Sequence, residues 1–252
     1  MSDTLCLTLE TSTEVASVAL MRGAEAIAWS SHKGAASVSE WLLPTISRLL
    51  AEVGVEKAQA VACGRGPGAF TGVRTACATA QALAWGWGVP LYAVGSLEAL
   101  LVAELGTASP RPREAEVAFA VLMDARQGEL YAAAWGVNAG AGRRLLVAPE
   151  LVARHDASAW CERHGIQCAI GTGAAEAAER VEVLDAWREP RLREQALARL
   201  ALGVGCIAAE LHERGEATNP LTLEPSYVRN RVALTEAERR GQHSARFAGL
   251  GA

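Results

Sequence analysis

Two acidic residues, Glu10 and Asp124, each open a predicted hairpin turn directly after an apolar segment. Two carboxylates that face the same cleft could hold Mg²⁺ beside the phosphates of a nucleotide, since hard cations take oxygen ligands. The alternative is that both are ordinary turn residues at strand ends. The first turn has no glycine before Val15, so its backbone cannot approach a phosphate as closely as a glycine turn permits.

The segment Gly171-Thr172-Gly173 precedes a predicted short helix and is a second place where an anion could bind. The same three residues are also a common way to join a strand to a helix. We therefore consider four residues as candidates for a cofactor site, and we predict no catalytic residue and no metal ligand. The four candidates are Glu10, Asp124, Gly171 and Gly173.

A glycine-rich loop lies between a predicted strand at residues 60–63 and a predicted helix at residues 73–87. A phosphate-binding loop would need a lysine followed by Ser or Thr at the start of the helix, and the sequence lacks that pair. The pattern favours a tight structural loop that presents the helix for packing, with Thr71 as the helix cap. The loop residues are Gly64, Arg65, Gly66, Pro67, Gly68, Thr71 and Gly72.

Other chemistries find little support in the residue spacing. The five histidines show neither HxxxH nor HExxH spacing, the six cysteines form no CxxC pair, and no GxSxG segment occurs. These patterns disfavour a zinc site, a disulfide framework and a self-standing peptidase. We expect free thiols in a reducing cytoplasm.

Composition narrows the class of partner. The chain has 252 residues, half of them hydrophobic, with 24 Lys and Arg against 28 Asp and Glu. That balance lacks the basic excess of a stand-alone nucleic-acid binder, so a partner would have to hold most of any nucleic acid. Residues 75–97 carry no charge, but the Gly, Thr, Gln and Pro within them favour a buried helix and strand over a membrane span. We expect no membrane association and no signal peptide.

The order of predicted elements repeats along the chain. A three-stranded meander followed by helices alternating with strands describes the first half, and the same order returns in the second half, which ends in a long helix at residues 193–214. Strands joined by such crossovers become parallel, so each half has the plan of an RNase-H-like lobe. We predict an α/β protein of two mixed sheets flanked by helices, with lobes at residues 1–106 and 107–232 and a flexible tail at residues 233–252.

Two predicted helices of the first half, at residues 38–53 and 73–87, carry wide apolar stripes. Small residues on the second helix would let another helix approach closely. Either both stripes pack entirely on their own sheet, or part of them is exposed and forms an interface with a second copy or with a related lobe. The candidate interface residues are Ser39, Leu42, Leu43, Ile46, Val73, Arg74, Cys77, Ala80, Gln81 and Ala84.

Five segments resemble the bacterial TsaB (YeaZ) family, over a stretch from the first strand to about residue 230. They are LTLETSTEVASVAL near the start, GRGPGAFTGVRT at residues 64–75, MDARQGELYAAAW at residues 123–135, GTGA at residues 171–174 and EPSYVRN at residues 224–230. The resemblance implies the duplicated fold of actin-like ATPases, sugar kinases and Hsp70 (the ASKHA fold), which agrees with the repeat. The chain departs from the family at Glu10, where Asp is usual, and at Val38-Ser39, where a His-Ser or His-Thr pair is common.

The function that the resemblance implies is that of a non-catalytic scaffold. The chain would work with TsaD, which carries the metal and transfers the threonylcarbamoyl group to adenosine 37 of tRNAs reading codons that begin with A, and with TsaE, which supplies an ATPase cycle. The two helices of the first lobe would hold TsaD or, in isolation, a second copy of the chain. The resemblance implies no intrinsic cofactor and only indirect contact with tRNA. It leaves open whether ATP or ADP binds at the interface of the complex.

The alternative from a different class is an ATP-dependent phosphotransferase or ATPase that uses the cleft between Glu10 and Asp124. The tail, with Arg239, Arg240 and Arg246, lies beyond the resemblance. We expect it to be solvated and mobile, with tRNA contact as the alternative.

Overall fold

Two five-stranded sheets with the same strand order organise the protein. The computed structural model describes residues 3–33, 37–107, 116–138 and 142–229. The first sheet is formed by β1 (Leu5–Glu10), β2 (Ala16–Arg22), β3 (Glu25–His32), β4 (Ala60–Gly64) and β5 (Leu91–Val94), with helices α1 (Val38–Val53), α2 (Phe70–Trp87) and α3 (Ser96–Thr107). The second sheet is formed by β6 (Val117–Arg126), β7 (Glu129–Asn138), β8 (Gly142–Ala153), β9 (Cys168–Ile170) and β10 (Glu182–Val183), with α4 (Ala157–Arg163), α5 (Asp185–Arg188), α6 (Pro190–Leu197) and α7 (Leu200–Glu213).

The two sheets repeat one topology. The strand order is β3-β2-β1-β4-β5 in the first and β8-β7-β6-β9-β10 in the second. In each, the first three strands form an antiparallel meander, and the last two join in parallel beside the first strand of the meander. The prediction of two mixed sheets flanked by helices is therefore confirmed.

Helix α1 forms as its sequence pattern predicts. Ser37 accepts a hydrogen bond from the backbone of Glu40, whose side chain accepts one from the backbone of Ser37 in return, so the two make a capping box. The helix ends at Gly54 in the left-handed conformation. Its apolar stripe packs with α2 on one face of the first sheet.

The predicted long helix at residues 193–214 is wrong, because the chain forms two helices there, α6 and α7. Helix α6 closes the core of the second lobe, whereas α7 packs on the first sheet with Val204 and Ile207. A Cβ atom on Gly203 would lie 1.9 Å from the carbonyl oxygen of Ala99, so this glycine lets α7 cross α3 closely. The periodic apolar pattern is the same for one long helix that packs on a single lobe and for two successive helices that pack on different lobes.

The division into lobes at residues 106 and 107 stays a prediction. The contacts of α7 show that the second stretch of sequence also supplies part of the packing of the first sheet. The tail at residues 233–252, with Arg239, Arg240 and Arg246, lies outside the described residues. None of the helices in the described part of the chain has both the length and the apolar character needed to cross a bilayer. The six cysteines all lie in the described ranges, and none of them forms a disulfide there.

Candidate functional site

A cleft of about 550 Å³ lies where the hairpin turns of the two lobes face each other. Its walls come from the first turn, the glycine-rich loop, the β6–β7 turn, α6 and a C-terminal segment. The side chains that line it include Ser12, Glu14, Phe70, Asp124, Arg126, Tyr131, Arg154, Thr172, Arg193, Tyr227 and Arg229.

Glu10 does not face this cleft. Its side chain is fully buried, and Oε1 accepts a hydrogen bond of 2.7 Å from the backbone N–H of Ser12. Burial raises the pKa of Glu10, because desolvation penalises the charged carboxylate more than hydrogen bonds from Ser96 and Ser12 favour it. The expectation that Glu10 and Asp124 share one cleft is therefore wrong: Glu10 points under the glycine-rich loop.

Asp124 lines the cleft but is already paired. Its Oδ1 accepts hydrogen bonds of 2.9 Å from Nη2 of Arg154 and of 2.9 Å from the backbone N–H of Arg126. Arg154 also donates to Glu176 at 2.7 Å, so the guanidinium is shared between two carboxylates. Within the described ranges no three His, Cys, Asp or Glu side chains cluster as a metal site would require.

The Gly171-Thr172-Gly173 turn packs against β6 and does not open toward an anion. A Cβ atom on Gly171 would lie 2.3 Å from the carbonyl oxygen of Leu122, and the N–H of Gly173 donates to that same oxygen at 2.8 Å. The following helix is a single 3₁₀ turn at Ala174–Ala177. The turn contributes the hydroxyl of Thr172, which accepts a hydrogen bond of 2.9 Å from the backbone of Asp124. The N–H of Gly173 is therefore used within the fold.

The glycine-rich loop lies directly on the first turn. A Cβ atom on Gly72 would lie 1.8 Å from the carbonyl oxygen of Thr11, and one on Gly68 would lie 2.5 Å from Cβ of Ser12. The N–H of Ala69 donates to the carbonyl of Ser12 at 2.7 Å. The loop thus covers the first turn at Thr11 and Ser12, and the N–H of Ser12 is used by Glu10 rather than left for a phosphate.

The remaining loop residues tie neighbouring segments together. The N–H of Gly66 donates to the hydroxyl of Ser96 at 3.0 Å, and the N–H of Arg65 donates to the carbonyl of Val94 at 2.8 Å. Pro67 is buried beside them. Thr71 is not the cap of α2, because the helix begins at Phe70 after Ala69 and has no capping side chain.

A C-terminal strap, residues 218–229, was given no role by the sequence patterns, although it contains all but the last residue of EPSYVRN. The strap begins where the N–H of Thr218 donates to the carbonyl of Leu91 at 2.7 Å. It then runs along α2, where Nε2 of Gln81 donates to the carbonyl of Pro220 at 2.8 Å.

The end of the strap joins the two lobes. The N–H of Ser226 donates to the carbonyl of Arg65 in the first lobe at 2.7 Å. Arg229 pairs with Glu129 and donates to the carbonyl of Ala125 at 3.1 Å in the second lobe. The strap therefore holds the glycine-rich loop and the β6–β7 turn on opposite sides of the cleft.

Six of the ten predicted interface residues are buried in the core of their own lobe and offer no surface. This corrects the prediction: the widest part of each apolar stripe packs on the first sheet. The six are Leu42, Ile46, Val73, Cys77, Ala80 and Ala84. Of the others, Ser39, Leu43 and Arg74 are exposed, and Gln81 is half-buried against the strap.

An exposed apolar surface does lie on these helices, at other positions. Nine large hydrophobic side chains are exposed among the described residues, and five of them lie on α1, α2 and the strap. We call these five the helix face: Leu43, Phe70, Trp85, Leu221 and Tyr227. The exposed fraction reaches 66% for Trp85 and 70% for Leu221. The guanidinium of Arg74 lies 3.3 Å from the ring centroid of Phe70, a cation–π contact.

Two lobes of identical strand order, with their first hairpin turns at a common cleft, place this protein in the class of duplicated RNase-H-like, actin- and sugar-kinase-like folds. The tRNA threonylcarbamoyladenosine biosynthesis protein TsaB of Haemophilus influenzae is 36% identical over 138 residues, 52% of this chain and 53% of that protein. YeaZ from Pseudomonas aeruginosa superposes with a TM-score of 0.70 at 29% identity, covering 90% of this chain and all of that one. In both sequence and fold the chain is therefore similar to TsaB (YeaZ) proteins.

Further comparisons agree with this similarity. TsaB of Escherichia coli is 29% identical over 206 residues, 76% of this chain and 80% of that protein. A second Pseudomonas aeruginosa structure, described as having similarity to peptidase YeaZ, has a TM-score of 0.70 at 28% identity and covers 91% of this chain and all of that one. The family model of TsaD, tRNA N6-adenosine threonylcarbamoyltransferase, matches residues 33–155. The Haemophilus match spans about half the length of that relative.

Proposed function

We propose that this protein takes part in the formation of threonylcarbamoyladenosine in tRNA, as a non-catalytic scaffold subunit. It would act with TsaD and TsaE in the transfer of the threonylcarbamoyl group to adenosine 37 of tRNAs reading codons that begin with A. The names of the two TsaB relatives support the pathway. The exposed residues of the helix face are the observation that carries the scaffold role, because large apolar side chains gathered on the outer sides of a few neighbouring elements mark a place where another protein binds.

The make-up of the helix face suits a helical partner. Between Phe70 and Trp85, the exposed side of α2 carries the small residues Ala78 and Ala82, which would let another helix approach closely. The strap extends this surface with Leu221. The TsaD family model matches a stretch that includes both α1 and α2, which supports a partner of related fold. In the absence of TsaD, a second copy of the chain would occupy the same surface.

The cleft supports a non-catalytic role over the alternative of an ATP-dependent phosphotransferase. That alternative needs Glu10 and Asp124 to hold a metal together, yet Glu10 is buried beneath the glycine-rich loop and Asp124 is paired with Arg154. We therefore propose no intrinsic catalytic cofactor. ATP or ADP, if the complex binds it near this chain, would lie at the interface with the partner. Contact with tRNA would be made through the complex in the cytoplasm.

Reconstitution tests the proposal. TsaD, TsaE, the threonylcarbamoyl-AMP synthase and tRNA are combined with and without the full chain, and incorporation of labelled threonine into tRNA is measured. ATP turnover by the chain alone is measured in parallel, with Asp124→Ala as the comparison. The proposal expects modified tRNA only when the chain is present, and no turnover by the chain itself. Modification without the chain, together with turnover that Asp124→Ala abolishes, would support the phosphotransferase instead.

A further inference from the structure

Arg74 is a charged side chain set among the apolar residues of the helix face. Helix α2 has 18 residues, and Arg74 is the only one of them that is charged. Phe70, Arg74, Ala78 and Ala82 follow one another at intervals of four residues, and all are exposed, so they lie along one side of the helix. Arg74 therefore lies within the surface that a partner would cover.

Two aromatic rings hold the guanidinium group of Arg74. Its central carbon lies 3.3 Å from the ring centroid of Phe70 and 5.4 Å from that of Tyr227 on the strap. The centroids of the two rings are 6.1 Å apart. Cation–π contacts engage the flat face of a guanidinium group, so the N–H groups around its edge remain free to donate.

The charge of Arg74 is not neutralised within the described part of the chain. The first turn of α2 holds no acidic residue, and Arg74 forms no ion pair in the described ranges. Arg48 on α1, by contrast, pairs with Glu52 four residues later. The N–H donors of a guanidinium group match the two oxygens of a carboxylate, which it can bind through two parallel hydrogen bonds.

A partner that covers the helix face would remove this cation from water. Large hydrophobic side chains of the same surface, Trp85 and Leu221 among them, would help to exclude water from the contact. A guanidinium group buried without an anion is strongly destabilising, whereas one that is paired with a carboxylate is not. The partner that fits this surface therefore carries an acidic side chain opposite Arg74.

A second copy of the chain meets this requirement poorly. When two copies meet through α2, the opposing helix brings another arginine and no carboxylate, because α2 has none. Like charges that face each other across a contact disfavour that pairing relative to one of complementary charge. The surface thus prefers an acidic partner over a second copy.

We propose that Arg74 is the charged anchor of the helix face and forms a bidentate ion pair with an aspartate or glutamate of TsaD. This inference rests on the proposed function, because it takes TsaD as the protein that covers the helix face. It adds the chemistry that selects the partner, which is a carboxylate surrounded by apolar side chains. The strap takes part in the same contact, since the ring of Tyr227 helps to hold the guanidinium group.

The test measures the affinity of the full chain for TsaD by calorimetry. We expect Arg74→Gln to weaken binding about tenfold or more, because it leaves the carboxylate of TsaD without its partner. Arg74→Lys keeps the charge but loses the planar fork, so its affinity should lie between the two. Arg191→Gln is the matched control, since it makes the same change at an exposed arginine on α6.

A charge exchange separates the ion pair from any effect of these variants on packing. Arg74→Glu should lose TsaD binding, and thermal denaturation checks that it folds. Exposed aspartates and glutamates of TsaD are then replaced one at a time by arginine. We expect one of these replacements to restore binding to Arg74→Glu and to weaken binding to the wild-type chain.

The outcomes distinguish this inference from the proposed function. If TsaD binds folded Arg74→Gln as tightly as wild type, the inference is overturned and the scaffold role stands. The inference also fails if no replacement in TsaD restores binding to Arg74→Glu, or if Arg74→Gln weakens only the binding of tRNA to the complex, which would assign Arg74 to a phosphate. A wild-type chain that does not bind TsaD would overturn both proposals.

Discussion

The carboxylate of Glu10 lies directly against the backbone of Gly64, where a Cβ atom would come within 1.8 Å of Oε2. The strand that ends in Glu10 and the strand that ends in Gly64 are parallel neighbours, so both residues leave the sheet at the same edge. The glycine allows the loop to close over the carboxylate and to remove it from solvent. This contact keeps the carboxylate of Glu10 out of the cleft, so Glu10 does not take part in the metal binding that an acidic residue in the first turn would otherwise suggest.

The burial of Glu10 predicts a pH dependence of stability. A carboxyl whose pKa is higher in the folded than in the unfolded chain stabilises the fold below the unfolded-state pKa, and this stabilisation is lost as the pH rises toward the folded pKa. Glu10→Gln removes that titration. From a pH near 4.5 to neutral pH, the free energy of unfolding of the variant should therefore fall less than that of wild type.

Urea denaturation at a series of pH values checks this prediction. The informative quantity is the difference between the two proteins at each pH, because other titrating groups contribute equally to both. A difference that stays constant across the series would contradict the burial of an ionisable Glu10.

The packing of the glycine-rich loop on the first turn predicts opposite effects for two glycines of α2. Gly72→Ala places a Cβ atom against the carbonyl oxygen of Thr11 and should destabilise the fold by about 1–3 kcal/mol. Gly86→Ala, near the other end of the helix, meets no atom within 4 Å and should stabilise by about 0.5–1 kcal/mol. Thermal and chemical denaturation measure both. Equal effects of the two changes would be inconsistent with the close contact at Gly72.

Neighbouring leucines on α1 should respond very differently to truncation. Leu42 is 1% exposed and packs in the core of the first lobe, whereas Leu43 is 54% exposed. Leu42→Ala should therefore cost about 2–5 kcal/mol of stability. Leu43→Ala should change stability by less than about 0.5 kcal/mol. If both variants denature at the same urea concentration, the assignment of the two faces of α1 is incorrect.

The repeated order of elements could be predicted from the sequence because each strand and helix carries its own local pattern. Alternating apolar residues predict the strands of the meanders, and the apolar stripe that begins at Val38 predicts a helix. Both patterns arise because one side of the element is buried against a nearby sheet or forms part of it. The break between α6 and α7 could not be predicted from the sequence, because it depends on which lobe each helix packs against. The length of β8, Gly142–Ala153, is likewise set by its pairing with β7.

The candidate site was less predictable than the fold. An acidic residue at a strand end has the same pattern whether it faces a cleft, as Asp124 does, or lies beneath a loop, as Glu10 does. The interface stripe pointed to the buried sides of α1 and α2, because small and apolar residues fill both faces of α2, and whether these helices bind a partner stays a prediction. The sequence does not indicate that the strap lies beside α2. It therefore could not predict that Trp85 and Leu221 belong to one exposed surface.

If the helix face binds TsaD as proposed, a charged residue placed on it should break that contact. Trp85→Glu should leave the fold intact, because 66% of the side chain is exposed. Leu145→Glu is the matched control, with 51% exposure on β8 of the other lobe. Both variants are purified, and thermal denaturation checks that they fold. Each is then tested in two assays, a TsaD pull-down and the reconstituted modification of tRNA.

We expect folded Trp85→Glu to lose TsaD binding and to fail to restore modified tRNA, while Leu145→Glu behaves as wild type in both assays. Full modification and undiminished TsaD binding with Trp85→Glu would contradict this expectation.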